Sequence, residues 1–112
     1  MRLSAAFAVL GRLGSVHAST PVYPTDPEFA GDAAPYLNRI VVLGTDLGLE
    51  SLRAAVKAYE TNERASGTPP FVAVDIDIVA WNSDVLRPAD VASRYFRKGM
   101  AMLQNAGVAV EL

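Results

Sequence analysis

The sequence contains no cysteine and a single histidine, and these absences exclude several kinds of site. Without cysteine, the 112-residue chain can form no disulfide, no thiolate metal site and no cysteine nucleophile. His17 has no second histidine to join it in an imidazole-based zinc site, and it gives little support to a Ser-His triad. Binding or catalytic chemistry would therefore depend on carboxylates, hydroxyls, amides and cations.

Excess charge and long apolar segments are also lacking. The formal net charge is −2, whereas proteins that bind nucleic acid usually carry a basic stripe. No apolar run approaches the roughly 20 residues that a membrane-spanning helix needs. Hydrophobic residues make up 51% of the chain and charged residues 20%, which is typical of a folded protein. The composition therefore predicts one domain over residues 1–112, with neither nucleic acid nor membrane as a partner.

The N-terminal segment is compatible with two interpretations. Arg2 and the apolar run Leu3–Leu10 are similar to the start of a secretory signal, with Val16–Ala18 in the place of a cleavage site. Gly11 interrupts the run after about eight residues, near the lower limit for a signal. The helical spacing of its leucines and Phe7 favours an amphipathic helix instead. We therefore expect a cytoplasmic protein.

Periodicity and turn residues predict an α+β or α/β fold with the element order αββαβαβ. The expected helices are a first one ending before Gly14, a second over residues 46 to about 64, and a third from Pro88 to a cap at Gly107. The expected strands span residues 17–23, 37–43, 71–80 and 108–112. Residues 24–35 contain three prolines and predict a long loop, a kind of segment that often carries function.

Asp75 and Asp77 are the most informative candidates for chemistry. Side chains alternate between the two faces of a strand, so both carboxylates are expected on one face. Two like charges so placed raise one pKa or require a cation between them, and oxygen ligands suit Mg²⁺. The alternative is that the two aspartates only make a solvated face polar.

Two motifs together resemble the 6-hydroxymethyl-7,8-dihydropterin pyrophosphokinase family of folate biosynthesis. Pro35–Asn38 and Val72–Ile78, separated by one helix, are similar to that family's Tyr-Leu-Asn and Asp-Leu-Asp motifs. Residues 23–27 resemble the loop that helps to frame the pterin, and Glu60 falls where the family has a glutamate near the nucleotide. The resemblance covers roughly residues 3–86.

The resemblance implies a ferredoxin-like antiparallel sheet with helices packed on it. It also implies transfer of diphosphate from ATP to the hydroxymethyl group of a dihydropterin, with Mg²⁺ as the cofactor and the pterin and ATP as the small-molecule partners. The residues that it assigns are Asp75 and Asp77 to catalysis and Mg²⁺, Thr25, Tyr36 and Asn38 to the pterin, and Glu60 to the nucleotide.

Departures from the family pattern lead to a second hypothesis. Residues 69–73 replace an arginine-bearing approach to the aspartates, and Arg87–Asp90 lacks the histidine of a downstream Pro-His motif. Fewer cations mean weaker electrostatic stabilisation of a phosphoryl transition state. The alternative is therefore a non-catalytic module that binds a pterin, a nucleotide or a partner and keeps the fold. The retained aspartates favour the enzyme, and the missing cations favour the module.

The family's sheet has a central first strand that this sequence lacks, because the chain starts directly at the first predicted helix. Unpaired backbone groups along a buried strand are costly, so another segment should fill the position. Val108–Leu112 is the remaining candidate, either within one chain or exchanged with a second copy in a homodimer. The alternative is that these residues form a frayed tail and the sheet closes directly.

Overall fold

The architecture is that of an α+β protein with small antiparallel sheets. The structure is a computed structural model, which describes residues 2–25, 36–66, 75–110 and 112. Its elements are α1 (Arg2–Leu13), β1 (Ser15–Ser19), β2 (Tyr23–Thr25), β3 (Tyr36–Asn38), β4 (Val41–Gly44), α2 (Leu49–Ser66), β5 (Ala80–Trp81), β6 (Asp84–Val85), α3 (Pro88–Val91) and α4 (Arg94–Asn105). The described strands form three antiparallel pairs, β1 with β4, β2 with β3, and β5 with β6.

The first two helices lie where the apolar periodicity predicts them. In α2, Leu52 and Val56 are buried one turn apart, while Arg53 remains exposed. In α1, Ala6 is buried, and the Phe7 ring lies under the guanidinium of Arg39 at 3.8 Å. None of the helices within the described ranges is long and apolar enough to cross a membrane.

Two of the predicted strands are each split into two. Residues 17–23 are divided between β1 and β2, because Thr20 and Pro21 lie outside the ladder. Thr20 is 2% exposed, and its hydroxyl accepts the Ile40 N–H at 3.0 Å, while its own N–H donates to the Ile40 carbonyl at 2.9 Å. Pro21 has no N–H with which to continue the pairing. The two hydrogen bonds between Thr20 and Ile40 also divide residues 37–43 between β3 and β4.

Helix α4 packs against β2 through a close approach at Gly99. The Tyr23 hydroxyl donates to the Tyr95 carbonyl at 2.7 Å. A Cβ atom at Gly99 would collide with that hydroxyl and with the Ile40 side chain, so only glycine permits this distance. Phe96 and Leu103 are buried on the same side of the helix. Together these contacts hold the C-terminal helix on the N-terminal half of the chain.

The third predicted helix is two helices, and the predicted cap after it is confirmed. Ser93 separates α3 from α4, since its hydroxyl accepts the Phe96 N–H at 3.3 Å and caps α4. Gly107 has a φ of 83°, the left-handed conformation that favours glycine after a helix. The Val108 N–H then donates to the Leu103 carbonyl at 3.0 Å.

Two strand predictions are wrong over the residues that the structure describes. Val108–Val110 form no strand, because the Val108 N–H closes α4. Of the strand expected over residues 71–80, only Ala80 belongs to β5, and residues 75–79 have no regular secondary structure. Residues 71–74 and 26–35, which include most of the predicted loop, lie outside the described residues.

The buried Tyr23 phenol makes the stability of the protein fall with pH in the alkaline range. Burial, and to a lesser extent the Tyr95 phenol, raises the pKa of Tyr23 from 10.0 to about 12. Since the folded-state pKa is the higher one, this contribution to stability is complete below pH 10.0 and is lost as the pH rises toward about 12. We expect Tyr23→Phe to lower the free energy of unfolding at neutral pH by about 0.5–1.5 kcal/mol, the net contribution of one lost hydrogen bond.

Denaturant titrations at a series of pH values check this prediction. Between neutral and strongly alkaline pH, Tyr23→Phe should lose less stability than the wild type, because its buried ring cannot ionise. Tyr59→Phe on α2 is the control, with a hydroxyl that donates to Glu63 at 3.0 Å on the surface of the helix. Equal alkaline slopes for wild type and Tyr23→Phe would contradict the prediction.

Candidate functional site

The three residues assigned to the pterin lie together on one hairpin. Strands β2 and β3 pair Tyr23 with Asn38 and Thr25 with Tyr36. The Asn38 amide Nδ2 donates to the Thr25 hydroxyl at 2.8 Å and lies 3.4 Å from the Tyr36 carbonyl oxygen. We call Thr25, Tyr36 and Asn38 the Asn38 cluster. The antiparallel register explains it, because it places the short motif at 36–38 opposite residues 23–25.

The Asn38 cluster borders an exposed apolar surface. Leu37 is 50% exposed and Tyr36 is 38% exposed, although both lie in a paired strand. An aromatic ring beside an amide is a combination that can stack on a flat heterocycle and hydrogen-bond to its edge. The amide of Asn38 is held by Thr25, so its orientation is set before any ligand arrives.

A cleft of about 400 Å³ brings together two other predicted site residues, Glu60 and Asp77. It lies between α2 and residues 76–78, with Arg87 at its edge. We call it the Asp77 cleft. The side chains that line it are Arg53, Val56, Lys57, Glu60, Thr61, Ile76, Asp77, Ile78 and Arg87.

The charged wall of the Asp77 cleft follows from helical periodicity. Lys57, Glu60 and Thr61 follow Arg53 on α2 by four, seven and eight residues, so the four side chains share one side of the helix. Arg53 is already paired with Glu50 at 2.9 Å. Lysine and arginine side chains from this face, with Arg87, give the cleft three cations beside two carboxylates. Such a lining is suited to an anionic ligand accompanied by a metal ion.

Asp75 and Asp77 share an exposed face, although the chain there forms no strand. The exposure alternates, with both aspartates exposed and Ile76 and Ile78 partly buried. This is the side-chain pattern that the sequence predicts. Within the described ranges, no group of three or more histidine or acidic side chains could hold a metal ion. Two carboxylates fit Mg²⁺ when water and substrate phosphates complete its shell.

Arg87 is the site residue that sequence reasoning missed. Strands β5 and β6 pair Ala80 with Val85, and the Arg87 N–H donates to the Val79 carbonyl at 3.2 Å. This hairpin returns the chain so that Arg87 Nη1 lies 3.8 Å from Asp77 Oδ1. The sequence offered only a partial signal, the turn residue Asn82, whose φ is 54° in the structure; it indicates a turn but not which residues pair across it.

Arg87 is held from a second side by Asp90. Its Nε donates to Asp90 Oδ2, three residues along the chain. That hydrogen bond, followed by the charge of Asp77, raises the pKa of the Arg87 guanidinium. We call Asp77, Arg87 and Asp90 the Arg87 bridge. It keeps a permanent positive charge at the edge of the Asp77 cleft.

His17 lies in a different cleft, of about 560 Å³, at the ends of β1 and β4. Its ring occupies the space where a Cβ at Gly44 would be. Thr45 crosses the base of this cleft, donating to the Leu13 carbonyl at 2.7 Å and accepting the Leu47 N–H at 3.1 Å. No residue assigned from the sequence lines it. Its polar groups join α1 to the turn before α2.

Comparisons with protein-family models, curated proteins and solved structures find no match to this chain.

Proposed function

We propose that this protein transfers diphosphate from ATP to the hydroxymethyl group of a dihydropterin, on a ferredoxin-like fold. The observation that carries the proposal is that Asp77, Glu60 and three cations line one cleft. The motif resemblance assigns Asp77 to Mg²⁺ and Glu60 to the nucleotide, and the three cations line the same cleft. A phosphate site needs both signs of charge, and the cleft supplies them.

The cations of the Asp77 cleft can substitute for the arginines whose absence argues against an enzyme. The sequence lacks arginines that the family uses to neutralise the triphosphate, but Arg53, Lys57 and Arg87 line the cleft from other positions. Positive groups fixed where negative charge develops usually supply the largest part of catalysis. We infer that these three side chains take over that role.

Asp75 and Asp77 would hold Mg²⁺ in the proposed site. Mg²⁺ held by these residues would supply Lewis-acid stabilisation of the negative charge on the phosphate oxygens. Both carboxylates are exposed to water, and that of Asp77 lines the cleft. Glu60, which also lines the cleft, would contact the nucleotide.

The Asn38 cluster is the proposed pterin site. A pterin ring has donors and acceptors along one edge, which an asparagine amide can match. Thr25 fixes that amide at 2.8 Å, and the exposed Tyr36 ring offers a face for stacking. These groups would bind and orient the acceptor.

The proposed reaction forms one bond and breaks one bond. The hydroxymethyl oxygen of the pterin forms a bond to the β-phosphorus of ATP. The bond between that phosphorus and the oxygen bridging to the α-phosphate breaks, and the leaving group is AMP. The hydroxyl proton is released to water. Positioning and charge neutralisation are the main contributions that the chain needs to make.

Calorimetric titration with a non-hydrolysable ATP analogue, with and without Mg²⁺, tests the proposal. We expect binding that requires Mg²⁺, and formation of AMP in equal amount to the pterin diphosphate when ATP and 6-hydroxymethyl-7,8-dihydropterin are supplied. Mg²⁺-dependent binding without AMP would identify the chain as a non-catalytic binding module. No Mg²⁺-dependent binding would overturn the proposal.

Asn38→Ala should weaken binding of the dihydropterin by about 1–3 kcal/mol, the cost of leaving a ligand group without its hydrogen-bond partner. Binding of the ATP analogue should change little, because Asn38 does not line the Asp77 cleft. Titration of each ligand separately measures the two effects. Asn105→Ala, at the exposed end of α4, is the control. An equal loss of affinity for both ligands would contradict a separate pterin site.

A further inference from the structure

In the Arg87 bridge, one guanidinium contacts two carboxylates, and the two contacts differ in strength. The contact with Asp90 is a hydrogen bond, whereas Arg87 Nη1 and Asp77 Oδ1 are 3.8 Å apart, beyond hydrogen-bonding distance. The Asp90 side chain is 19% exposed and the Asp77 side chain 42%. Asp90 therefore anchors the guanidinium, and Asp77 is only its weaker, more solvated partner.

Backbone hydrogen bonds fix the base of the bridge. The N–H groups of Leu86 and Arg87 both donate to the Val79 carbonyl, at 2.8 and 3.2 Å. The Asp90 N–H donates to the Arg87 carbonyl at 3.1 Å. These hydrogen bonds hold the backbone of Arg87 and Asp90 in a turn. The guanidinium can therefore move only by rotation within the long arginine side chain. The guanidinium can leave Asp77 without leaving the edge of the cleft.

We infer that Arg87 is the counter-ion that Asp77 exchanges for Mg²⁺ when a nucleotide phosphate enters the cleft. This inference rests on the proposed function. In the free protein the guanidinium neutralises Asp77. When the metal binds the carboxylate, its positive charge repels the guanidinium, which stays hydrogen-bonded to Asp90. The freed Nη groups then face the phosphate, so Arg87 is a positioning residue for the metal and a binding residue for the nucleotide.

The exchange predicts opposite effects of one substitution on two ligands. In Arg87→Gln, Mn²⁺ offered without nucleotide should bind about two- to five-fold more tightly, the scale of an exposed ion pair that no longer competes. The ATP analogue with Mg²⁺ should bind about ten-fold or more weakly, because a charge-assisted contact to phosphate is lost. A purely structural role would shift both affinities in the same direction.

Electron paramagnetic resonance of free Mn²⁺ and calorimetry of the Mg²⁺ analogue measure the two affinities on the full chain. Arg87→Lys keeps the charge and should keep the wild-type Mn²⁺ affinity. It should bind the nucleotide less tightly, because lysine lacks the bidentate guanidinium of arginine. Arg53→Gln is the matched control, since Arg53 lines the cleft but pairs with Glu50. It should weaken the nucleotide and leave Mn²⁺ unchanged.

Asp90→Asn is the second variant, which keeps the inference testable if Arg87→Gln does not fold. Without its anchor, the guanidinium turns fully to Asp77, so Mn²⁺ should bind less tightly than to the wild type. A nucleotide-binding wild type combined with unchanged Mn²⁺ affinity in these variants would overturn the exchange alone. A wild type that binds no Mg²⁺ analogue would overturn the proposed function, and the exchange with it.

Discussion

Replacement of both Asp75 and Asp77 by asparagine is expected to abolish Mg²⁺-dependent binding of an ATP analogue while the protein remains folded. An amide is a poor substitute for a carboxylate as a Mg²⁺ ligand, and no group of three acidic or histidine side chains within the described ranges could hold the ion in their place. Both side chains are exposed, so their replacement leaves no cavity in the core. The pair with Arg87 is exposed to solvent, so its loss should have little effect on stability.

Calorimetry and thermal unfolding of the same preparations measure the two halves of this prediction. Removing two neighbouring like charges should leave the melting temperature unchanged or slightly higher. Asp46→Asn combined with Asp84→Asn is the matched control, because it removes two exposed aspartates that do not line the Asp77 cleft. A double variant at 75 and 77 that still binds the analogue as well as the wild type would exclude the metal assignment.

Leu103→Ala is expected to cause the largest loss of stability. Leu103 is 2% exposed, on the side of α4 that also buries Phe96 and Gly99. Truncating a buried leucine leaves a cavity and costs about 2–5 kcal/mol. A domain of this size has a free energy of unfolding of roughly 5–15 kcal/mol, so the variant loses a large part of it. Denaturant titration measures the change.

Leu47→Ala is the control for Leu103→Ala. Leu47 is 36% exposed in the turn before α2, so its truncation should change the free energy of unfolding by about 0.5 kcal/mol or less. Similar losses for the two variants would show that α4 is not part of the core.

Local patterns predicted the parts of the structure that depend on neighbouring residues. Helix α2 follows from its own periodicity, and the cap at Gly107 from the left-handed conformation that glycine adopts readily. The exposed face shared by Asp75 and Asp77 follows from side-chain alternation, which persists where no partner strand is paired. Each of these features needs no information about distant residues.

Features that depend on pairing between distant segments were not predicted. The division at Thr20 requires Ile40, twenty residues away, to exchange hydrogen bonds with it. The place of Arg87 beside Asp77 requires the register of the β5–β6 hairpin, which a single turn residue does not specify from sequence alone. The strand expected over residues 108–112 had the right composition, but the Val108 N–H is taken by the helix before it.

The docking of α4 has a consequence for the order in which a newly made chain can fold. The Thr45 hydroxyl and the Leu13 carbonyl are 32 residues apart in sequence, whereas Tyr23 and Tyr95 are 72 apart. Synthesis proceeds from the N-terminus, so α1, β1 and β4 can meet on the ribosome long before α4 has been made. Until then Tyr23 has no carbonyl to bind, and the apolar surface around it stays open to chaperones or to other chains. The docking of α4, rather than the collapse of the first half, is therefore the step that covers this apolar surface.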